Sequence, residues 1–327
     1  MLLEQEGIMK TATREAYGQT LCELGKIRPD LVVLDADLSE ATKTCKFHQA
    51  YPDRFIDCGI EEANMMGIAA GLASCGLMPF VSTFAIFAAG RAYEQIRNSI
   101  AYPNLNVKIA ATHAGISVGE DGATHQAIED LALMRVIPGM TVFSPCDAAE
   151  TKACIKAAAE INGPVYIRLG RLAVDPVYDE STYHFNPKKG IILHDGTDLA
   201  LLATGLEVQE SLKAAQMLEE AGISCLVADI AAIKPIDEDL IRCCAKKTNC
   251  ILTVEEHSII GGLGSAVCEV LSESAPCKVR RIGIDDRFGQ SGPADELLRL
   301  YGLDYESIFQ TALEFWEENQ PKINVMF

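Results

Sequence analysis

Two histidines and an aspartate lie close together in one glycine-bearing stretch of the sequence. His113, Asp121 and His125 are spaced as H-x7-D-x3-H. Side chains of these types hydrogen-bond hydroxyl groups and move protons near neutral pH. They can also ligate a metal ion, but this spacing is not a usual zinc pattern. The spacing therefore disfavours a metal site, and a site for a polar organic ligand is the rival interpretation.

Two glutamates and two arginines add further chemistry. Glu61 and Glu62 begin an apolar helical pattern, where acids interact favourably with the helix dipole. The apolar neighbours of Glu62 favour a carboxyl that shares a proton with a ligand, whereas the helix N-terminus favours the carboxylate, and the sequence leaves this open. Arg14 and Arg171 carry planar guanidinium groups, which suit a phosphate terminus.

Short apolar runs rich in β-branched residues alternate with helical patterns in the first half of the chain. Helices are predicted at 61–74 and 147–160, the second with Asp147 as its N-cap. Strands are predicted at 31–38, 54–60, 78–84, 106–113, 140–145 and 164–170. Continuous apolar strands that alternate with helices indicate a parallel sheet covered on both faces.

Most of the chemically capable residues follow these strands directly. In a parallel sheet, ligands bind beyond the carboxyl ends of the strands, so residues that follow strands meet at one edge. The residues expected at this edge are Glu61, Glu62, Phe84, Phe87, His113, the loop 115–126 and Arg171. This clustering predicts a single site.

The second half of the chain repeats the alternation after a change in composition. Residues 171–197 contain prolines, tyrosines and mixed charge. Beyond them, strands are predicted in DLALLATG, SCLVADIAAIKP, NCILTVEEH and KVRRIGI, with helices at 208–221 and 264–273. The predicted fold class is α/β, with two domains that are each a mostly parallel sheet flanked by helices. The predicted boundaries are 1–175 for the first domain, 176–197 for a linker and 198–327 for the second domain.

Composition excludes several classes of protein. The formal net charge is -18, which repels nucleic acid and anionic membrane surfaces. The 12 cysteines form no CxxC pair, and no secretory signal is evident, so we expect free thiols in a reducing cytoplasm. Residues 67–90 carry no charge, but Gly76 and Pro79 interrupt them, which favours helix, turn, buried strand and loop over a membrane span.

The ordered motifs resemble the pyrimidine-binding domain of transketolases. The motifs are TATR (11–14), ADL (36–38), GIEE (59–62), STFAIF (82–87), ATH (111–113), GEDGATHQ (119–126) and LGR (169–171). The second half, with VEEHSIIGGLGSAV (254–267), resembles the C-terminal domain of the same superfamily. The resemblance covers nearly the whole chain, and GEDGATHQ together with GIEE is its specific part.

The resemblance implies a role for each candidate residue. Glu62 would hydrogen-bond the aminopyrimidine ring of thiamine diphosphate and activate it, and Phe84 and Phe87 would flank or stack on that ring. Asp37 would lie near the pyrimidine, although a strand-end aspartate is equally typical of a turn. An F-x-x-F pair taken alone is typical of a core. Sugar phosphates would be bound by Arg14, His113, Asp121 and Arg171, with His113 and His125 also catalytic.

The chain departs from the family pattern at two positions. Ala41 stands where transketolases usually have a phosphate-contacting serine, and Ala114 stands where an aspartate commonly follows the ATH histidine. Thr42 is a candidate to compensate for the missing serine. These differences leave the sugar substrate open, with pentose phosphates as the family default.

The family's diphosphate motif is missing from this chain. Transketolases hold the diphosphate and Mg²⁺ through a GDG segment followed by an asparagine, and the sequence contains no GDG. The resemblance therefore implies a partner, an N-terminal transketolase subunit that carries the Mg²⁺ ligands, in an α2β2 heterotetramer.

Three other functions remain open from the sequence. A β subunit of a 2-oxoacid dehydrogenase decarboxylase has the same domains, but GEDGATHQ with ATH argues against it. Enzymes that resemble deoxyxylulose-phosphate synthase share GIxE but normally carry both halves in one chain. A non-catalytic regulatory subunit is disfavoured by the intact Glu62, His113, Asp121 and His125.

Overall fold

The computed structural model describes residues 10–320. The predicted outer ends of the two domains, at residues 1 and 327, lie outside this part of the chain. The described residues form two α/β units, each built on a mostly parallel sheet with helices packed against it. The predicted fold class is confirmed.

The first unit is built on a seven-stranded sheet with the order β12-β6-β7-β5-β4-β2-β3. All neighbours in this sheet are parallel except β12 and β6. The six strands from this half of the chain are β2 (Leu31–Asp35), β3 (Phe55–Asp57), β4 (Met78–Phe84), β5 (Lys108–Thr112), β6 (Thr141–Phe143) and β7 (Val165–Arg168). Each lies inside a predicted strand.

Seven α-helices belong to the first unit: α1 (Thr13–Ile27), α2 (Ser39–Thr42), α3 (Cys45–Ala50), α4 (Glu62–Ser74), α5 (Tyr93–Gln95), α6 (Asp130–Arg135) and α7 (Ala148–Glu160). Short 3₁₀-helices span Pro52–Arg54 and Ile116–Asp121, and π-helices span Phe87–Arg91 and Ile96–Ala101. Asp147 caps α7 as predicted, because its side chain accepts the backbone N–H of Glu150 at 2.8 Å.

Alternation along the strands divides the core between the two faces of this sheet. Leu31 and Val33 point to one face, where they pack with Tyr17 and Leu21 of α1. The other face carries Val32 and Leu34, which belong to a cluster with α4 that continues into the second unit. One core is therefore shared by both units, which restrains them relative to each other.

The second unit is built on a five-stranded sheet with the order β14-β13-β10-β11-β9. Its strands are β9 (Ile191–His194), β10 (Leu199–Ala203), β11 (Cys225–Asp229), β13 (Cys250–Ser258) and β14 (Lys278–Ile284). Its helices are α8 (Glu207–Glu220), α9 (Glu238–Thr248), α10 (Leu263–Ser274), α11 (Ala294–Leu300) and α12 (Tyr305–Asn319). Two further short strands, β1 (Thr11–Ala12) and β8 (Ala173–Val174), pair with each other.

Two predictions about the domain boundary need correction. The predicted linker 176–197 contains β9, which pairs antiparallel with β11 and so belongs to the second sheet. The run 224–235, predicted as one strand, divides into β11 and β12 (Ala232–Lys234), and β12 joins the first sheet through β6. Both differences arise from long-range strand pairing, which a local pattern does not encode.

The uncharged stretch 67–90 contains the predicted helix, turn and buried strand, but its last residues, predicted as a loop, are helical and enter the π-helix Phe87–Arg91. Helix α4 ends at Ser74, a turn follows, and β4 is buried along its whole length. None of the described helices has the length and apolar character needed to cross a membrane. All twelve cysteines lie in the described part of the chain, and they are free thiols.

Candidate active site

The predicted site residues meet at the carboxyl edge of the first sheet. Parallel pairing aligns the carboxyl ends of β2, β4, β5 and β7, so the residues that follow them become neighbours. Arg14 reaches the same place from the first turn of α1, and its Nη1 lies 3.4 Å from His113 Nε2. Residues about 100 positions apart in sequence are thus brought into contact.

Glu62 is buried at the first position of α4. Its side chain is 2% exposed, with Met65, Met66 and Ala69 of the same helix in the core behind it. Arg91 Nη1 lies 2.9 Å from both Glu62 Oε1 and Oε2. Glu62 and Arg91 thus form a hydrogen-bonded ion pair at the start of the helix.

Four rings form a continuous aromatic cluster, which Arg91 links to Glu62. The ring of Phe84 stacks on the ring of Phe87, with centroids 5.8 Å apart. It also stacks on the ring of His113, with centroids 3.9 Å apart. The ring of His125 meets Phe87 edge-on at 5.4 Å. The F-x-x-F pair therefore lies in a ring cluster at the sheet edge, which is a suitable surface for a flat heteroaromatic group.

His113 is a neutral hydrogen-bonding group in this chain. Burial first, and then the positive charges of Arg14 and Arg171, lower the pKa of His113 from 6.5 to about 3. A guanidinium N–H donates, so Nε2 is the acceptor and Nδ1 carries the proton that is donated to Thr112 Oγ1 at 2.9 Å. In the isolated chain His113 is therefore a neutral hydrogen-bonding group, and a role for it in moving protons stays a prediction.

Arg14 is positioned by the loop that follows β2. Its Nη1 donates to the carbonyl of Ala41 at 2.7 Å. Thr42 does not compensate for the missing serine at 41, because its hydroxyl is buried and donates to Asp35 Oδ2 at 2.6 Å. Thr44 donates to the same oxygen at 2.8 Å, and burial raises the pKa of Asp35 to about 6. Asp35 thus orders the loop that holds Arg14, a role that sequence reasoning missed.

Arg171 faces the loop that contains Asp121. Its Nη1 donates to the carbonyl of Val118 and lies 3.8 Å from Asp121 Oδ2 and 3.4 Å from Glu120 Oε2. Arg14 and Arg171 lie close enough to His113 for their positive charges to lower its pKa. Two cationic side chains therefore flank His113, although the protein as a whole is acidic.

Asp37 has the geometry of a turn residue. It is exposed, its φ is 59°, and its backbone N–H donates to Asp57 Oδ1 at 3.1 Å. Within residues 10–320, the carboxyl group of Asp37 forms no hydrogen bond or ion pair with Glu62 or its neighbours. Of the two roles that the sequence allowed, the structure favours the turn.

Support for the site loop comes from the second unit. The Nε2 of Gln126 donates to the carbonyl of Gln290 at 2.9 Å, and the backbone N–H of Ser117 donates to Glu256 Oε1 at 2.6 Å. Ala114 lines a cavity of about 30 Å³ with Ser117 and Glu256, which is room for an ordered water in place of a larger side chain. The sequence pattern gave no sign of these contacts.

A second buried polar cluster joins the two units beyond the carboxyl end of β6. Potential ligand atoms of Cys146, Glu150 and Asp229 lie within 4.8 Å of one another, and among the described residues they are the group close enough to share a metal ion. Both carboxyl groups already accept a hydrogen bond from a tyrosine hydroxyl. Tyr178 donates to Asp229 Oδ2 at 2.8 Å, and Tyr183 donates to Glu150. Burial raises the pKa of both carboxyls, so the pair holds a proton rather than a full double charge.

Comparison with known families agrees with this geometry. Residues 9–176 match the family described as the transketolase pyrimidine-binding domain, and residues 188–308 match the transketolase C-terminal domain. The chain belongs to the transketolase family. The first matched domain contains the candidate site, and the second contains the unit that supports the site loop.

Individual transketolase relatives align over nearly their full lengths. A Methanocaldococcus jannaschii protein named as a transketolase C-terminal section is 52% identical over 96% of this chain and 98% of that protein. One of the subunits of an apulose-4-phosphate transketolase from Phocaeicola vulgatus is 42% identical over 93% of this chain and 97% of its own. A solved structure is described as a split gene transketolase, an inactive beta4 tetramer. It superposes with a TM-score of 0.87 and is 52% identical, and the match covers 95% of this chain and 100% of that chain.

Proposed function

We propose that this chain is the C-terminal subunit of a two-chain transketolase, which transfers a two-carbon ketol unit from a ketose phosphate to an aldose phosphate with thiamine diphosphate. The observation that carries the proposal is the buried Glu62, which Arg91 links to the stacked rings of Phe84 and Phe87. The cationic group of Arg14 and Arg171 lies at the same edge of the sheet.

The residues present fit the aminopyrimidine ring of thiamine diphosphate. The ring needs a carboxylate to accept a hydrogen bond and an aromatic face to set its plane. A planar nitrogen-bearing group already makes both contacts here, because Arg91 donates to Glu62 and its Cζ lies 4.4 Å from the centroid of Phe87. When bound, the cofactor supplies a nucleophilic carbon that accepts the two-carbon unit.

The roles of this chain's own residues follow from their environments. Glu62 holds a proton-bearing ring nitrogen, and Phe84 and Phe87 exclude water from that ring. Arg14 and Arg171 bind the phosphate terminus of the sugar through charge-assisted hydrogen bonds. His113, His125 and Asp121 hydrogen-bond the sugar hydroxyls, and His125 is better placed than the buried His113 to exchange a proton with solvent because it is partly exposed.

A partner subunit completes the proposed enzyme. The sequence has no GDG segment, so the N-terminal transketolase subunit would supply the diphosphate site and the Mg²⁺ ligands. The names of the relatives, a C-terminal section and a split gene transketolase, support this division. We infer an α2β2 heterotetramer in the cytoplasm, acting on pentose phosphates, with neither a membrane nor a nucleic acid as partner.

A different sugar donor is the second candidate. Ala41 removes a hydroxyl from the phosphate end of the site, and Thr42 is turned towards Asp35. The apulose-4-phosphate transketolase subunit from Phocaeicola vulgatus is 42% identical to this chain over the aligned residues. A donor that differs at its anionic end, such as apulose 4-phosphate, therefore belongs in the first assay.

The deciding experiment measures two-carbon transfer to ribose 5-phosphate by this chain with and without a co-expressed partner that carries GDG. Xylulose 5-phosphate and apulose 4-phosphate are compared as donors, with thiamine diphosphate and Mg²⁺ present. We expect activity only with the partner. A complex that assembles and binds the cofactor but transfers neither donor would contradict the proposed reaction and favour 2-oxoacids as substrates.

A further inference from the structure

One guanidinium group touches both residues assigned to the aminopyrimidine ring. Arg91 Nη1 is 2.9 Å from each oxygen of Glu62, and Arg91 Cζ lies 4.4 Å from the centroid of the Phe87 ring. Phe87 and Arg91 are the first and last residues of one π-helix, so a single short element delivers the ring and the cation to the same place.

The two contacts are those that a protonated, flat heterocycle makes. A guanidinium is planar, donates N–H groups in its plane and stacks on aromatic faces. An aminopyrimidine is also planar, and its binding here uses a ring face and a hydrogen bond to Glu62. Two planar groups cannot occupy the same hydrogen-bonding position on one carboxylate at the same time.

We propose that Arg91 occupies the aminopyrimidine position in the isolated chain and leaves it when thiamine diphosphate binds. This inference rests on the proposed function, and it assigns Arg91 as a positioning residue that holds Glu62 until the cofactor replaces it. The cofactor exchanges one donor to Glu62 for another, so the buried carboxylate is paired in both states.

The burial of the two partners explains the arrangement. The side chain of Glu62 is 2% exposed, and a carboxylate so buried is strongly disfavoured without a partner. The side chain of Arg91 is 52% exposed. The guanidinium of Arg91 can therefore move into solvent and be hydrated there, whereas the carboxyl group of Glu62 is held in the core. Arg91 is thus the group that moves when the cofactor binds.

A consequence for affinity follows. Cofactor binding must break the Arg91–Glu62 pair, so loss of the arginine removes a competitor and tightens binding. For a pair with one exposed partner, we expect the dissociation constant of thiamine diphosphate to fall about tenfold in Arg91→Ala. A lysine keeps the charge but lacks the planar stack, so Arg91→Lys should fall between wild type and Arg91→Ala.

The experiment is a calorimetric titration of the assembled two-chain complex with thiamine diphosphate and Mg²⁺. The matched control is Arg97→Ala, since Arg97 is exposed on the next π-helix and donates to Asn98 Oδ1 at 2.6 Å. Tighter binding in Arg91→Ala, with no change in Arg97→Ala, supports the inference. Weaker or unchanged binding in Arg91→Ala overturns it. A wild-type complex that assembles but binds no thiamine diphosphate overturns the proposed function itself.

A second measurement tests the ion pair without the cofactor. Thermal unfolding of the isolated chain is compared for wild type, Glu62→Gln, Arg91→Ala and the double variant. We expect Arg91→Ala to lower the melting temperature in the wild-type background and to have little effect in the Glu62→Gln background. Equal effects in both backgrounds would show that Arg91 does not hold Glu62, and this would overturn the inference.

Discussion

The backbone N–H of Ser117 donates to Glu256 Oε1 at 2.6 Å, which joins the site loop of the first unit to strand β13 of the second. Gly115 lies directly against this carboxyl, since a Cβ built at Gly115 would approach Glu256 Oε1 to 2.2 Å. Gly115 also has a φ of +81°, which favours glycine. The second unit thus holds the loop at a point where a side chain does not fit.

Glu256→Ala should loosen the site loop. Removal of the carboxylate leaves the Ser117 N–H buried without its acceptor, so we expect the free energy of unfolding to fall by about 1–3 kcal/mol. Hydrogen exchange at residues 116–121 should become faster than in wild type. Glu256→Gln keeps an acceptor oxygen and should have a smaller effect. Unchanged exchange in Glu256→Ala would refute the anchoring role.

Glu62→Ala should abolish two-carbon transfer while assembly with the partner persists. The variant removes the group that holds and activates the aminopyrimidine, so we expect kcat to fall at least ~100-fold. Glu61→Ala is the matched control, because the neighbouring Glu61 is exposed. Size-exclusion chromatography verifies assembly. Full activity in Glu62→Ala would contradict the proposed mechanism.

His113→Asn should reduce the acid lability of the chain. The folded-state pKa of His113 is about 3 against an ordinary 6.5, so the unfolded state binds the proton first, and stability is lost as pH falls from about 6.5 towards 3. The maximum slope is about 1.4 kcal/mol per pH unit. Asparagine tolerates the positive φ of 56° at this position. Urea unfolding at pH 7, 6 and 5 should give a shallower dependence in the variant, and an equal slope would exclude a neutral His113.

Asp229→Asn should stabilise the chain at alkaline pH. Burial and the neighbouring Glu150 raise the pKa of Asp229 well above 3.8, so the folded state holds a proton that the unfolded state releases. Stability is therefore lost as pH rises above about 4, by at most ~1.4 kcal/mol per unit. Asparagine mimics the protonated acid and can still accept from Tyr178. Urea unfolding from pH 5 to 9 should show an advantage over wild type that grows with pH. Asp229→Ala, which lacks the acceptor, is the control.

Arg14→Met should weaken the binding of sugar phosphates. Loss of a charge-assisted hydrogen bond corresponds to roughly 1.5–3 kcal/mol, so we expect kcat/KM to fall about 10- to 100-fold, mainly through KM. Arg28→Met is the matched control, because Arg28 pairs with Asp30 before β2 begins, at the other end of the strand. Steady-state kinetics with both donors measure the effect. An unchanged KM in Arg14→Met would exclude contact with the phosphate.

Much of the site could be predicted because its residues follow strands. Phe84 ends β4, and Glu62, His113 and Arg171 come shortly after β3, β5 and β7, so parallel pairing carries all four to one edge. Hydrophobic runs, breakers and caps are local signals, so the bounds of α4 and α7 were also close to those predicted.

The mistaken expectations concern contacts between distant parts of the chain. Thr42 was a candidate substrate contact, but the buried Asp35 takes its hydroxyl. Strand β12 continues the first sheet although its sequence lies among the second unit's elements. In the first case a buried carboxyl pairs with a nearby hydroxyl, and in the second a strand edge pairs with another strand. Both partners are distant in sequence or set by packing, so a local sequence pattern does not reveal them.

The sequence by itself determined the α/β class, the carboxyl-edge site, and the absence of a GDG segment, because each depends on residue types and local spacing. Only the tertiary structure decided that Arg91 pairs with Glu62, that His113 is neutral, and that Glu256 anchors the site loop. Ionisation and hydrogen-bond partners depend on burial and on distances of a few ångströms, and these quantities exist only once distant segments have packed together.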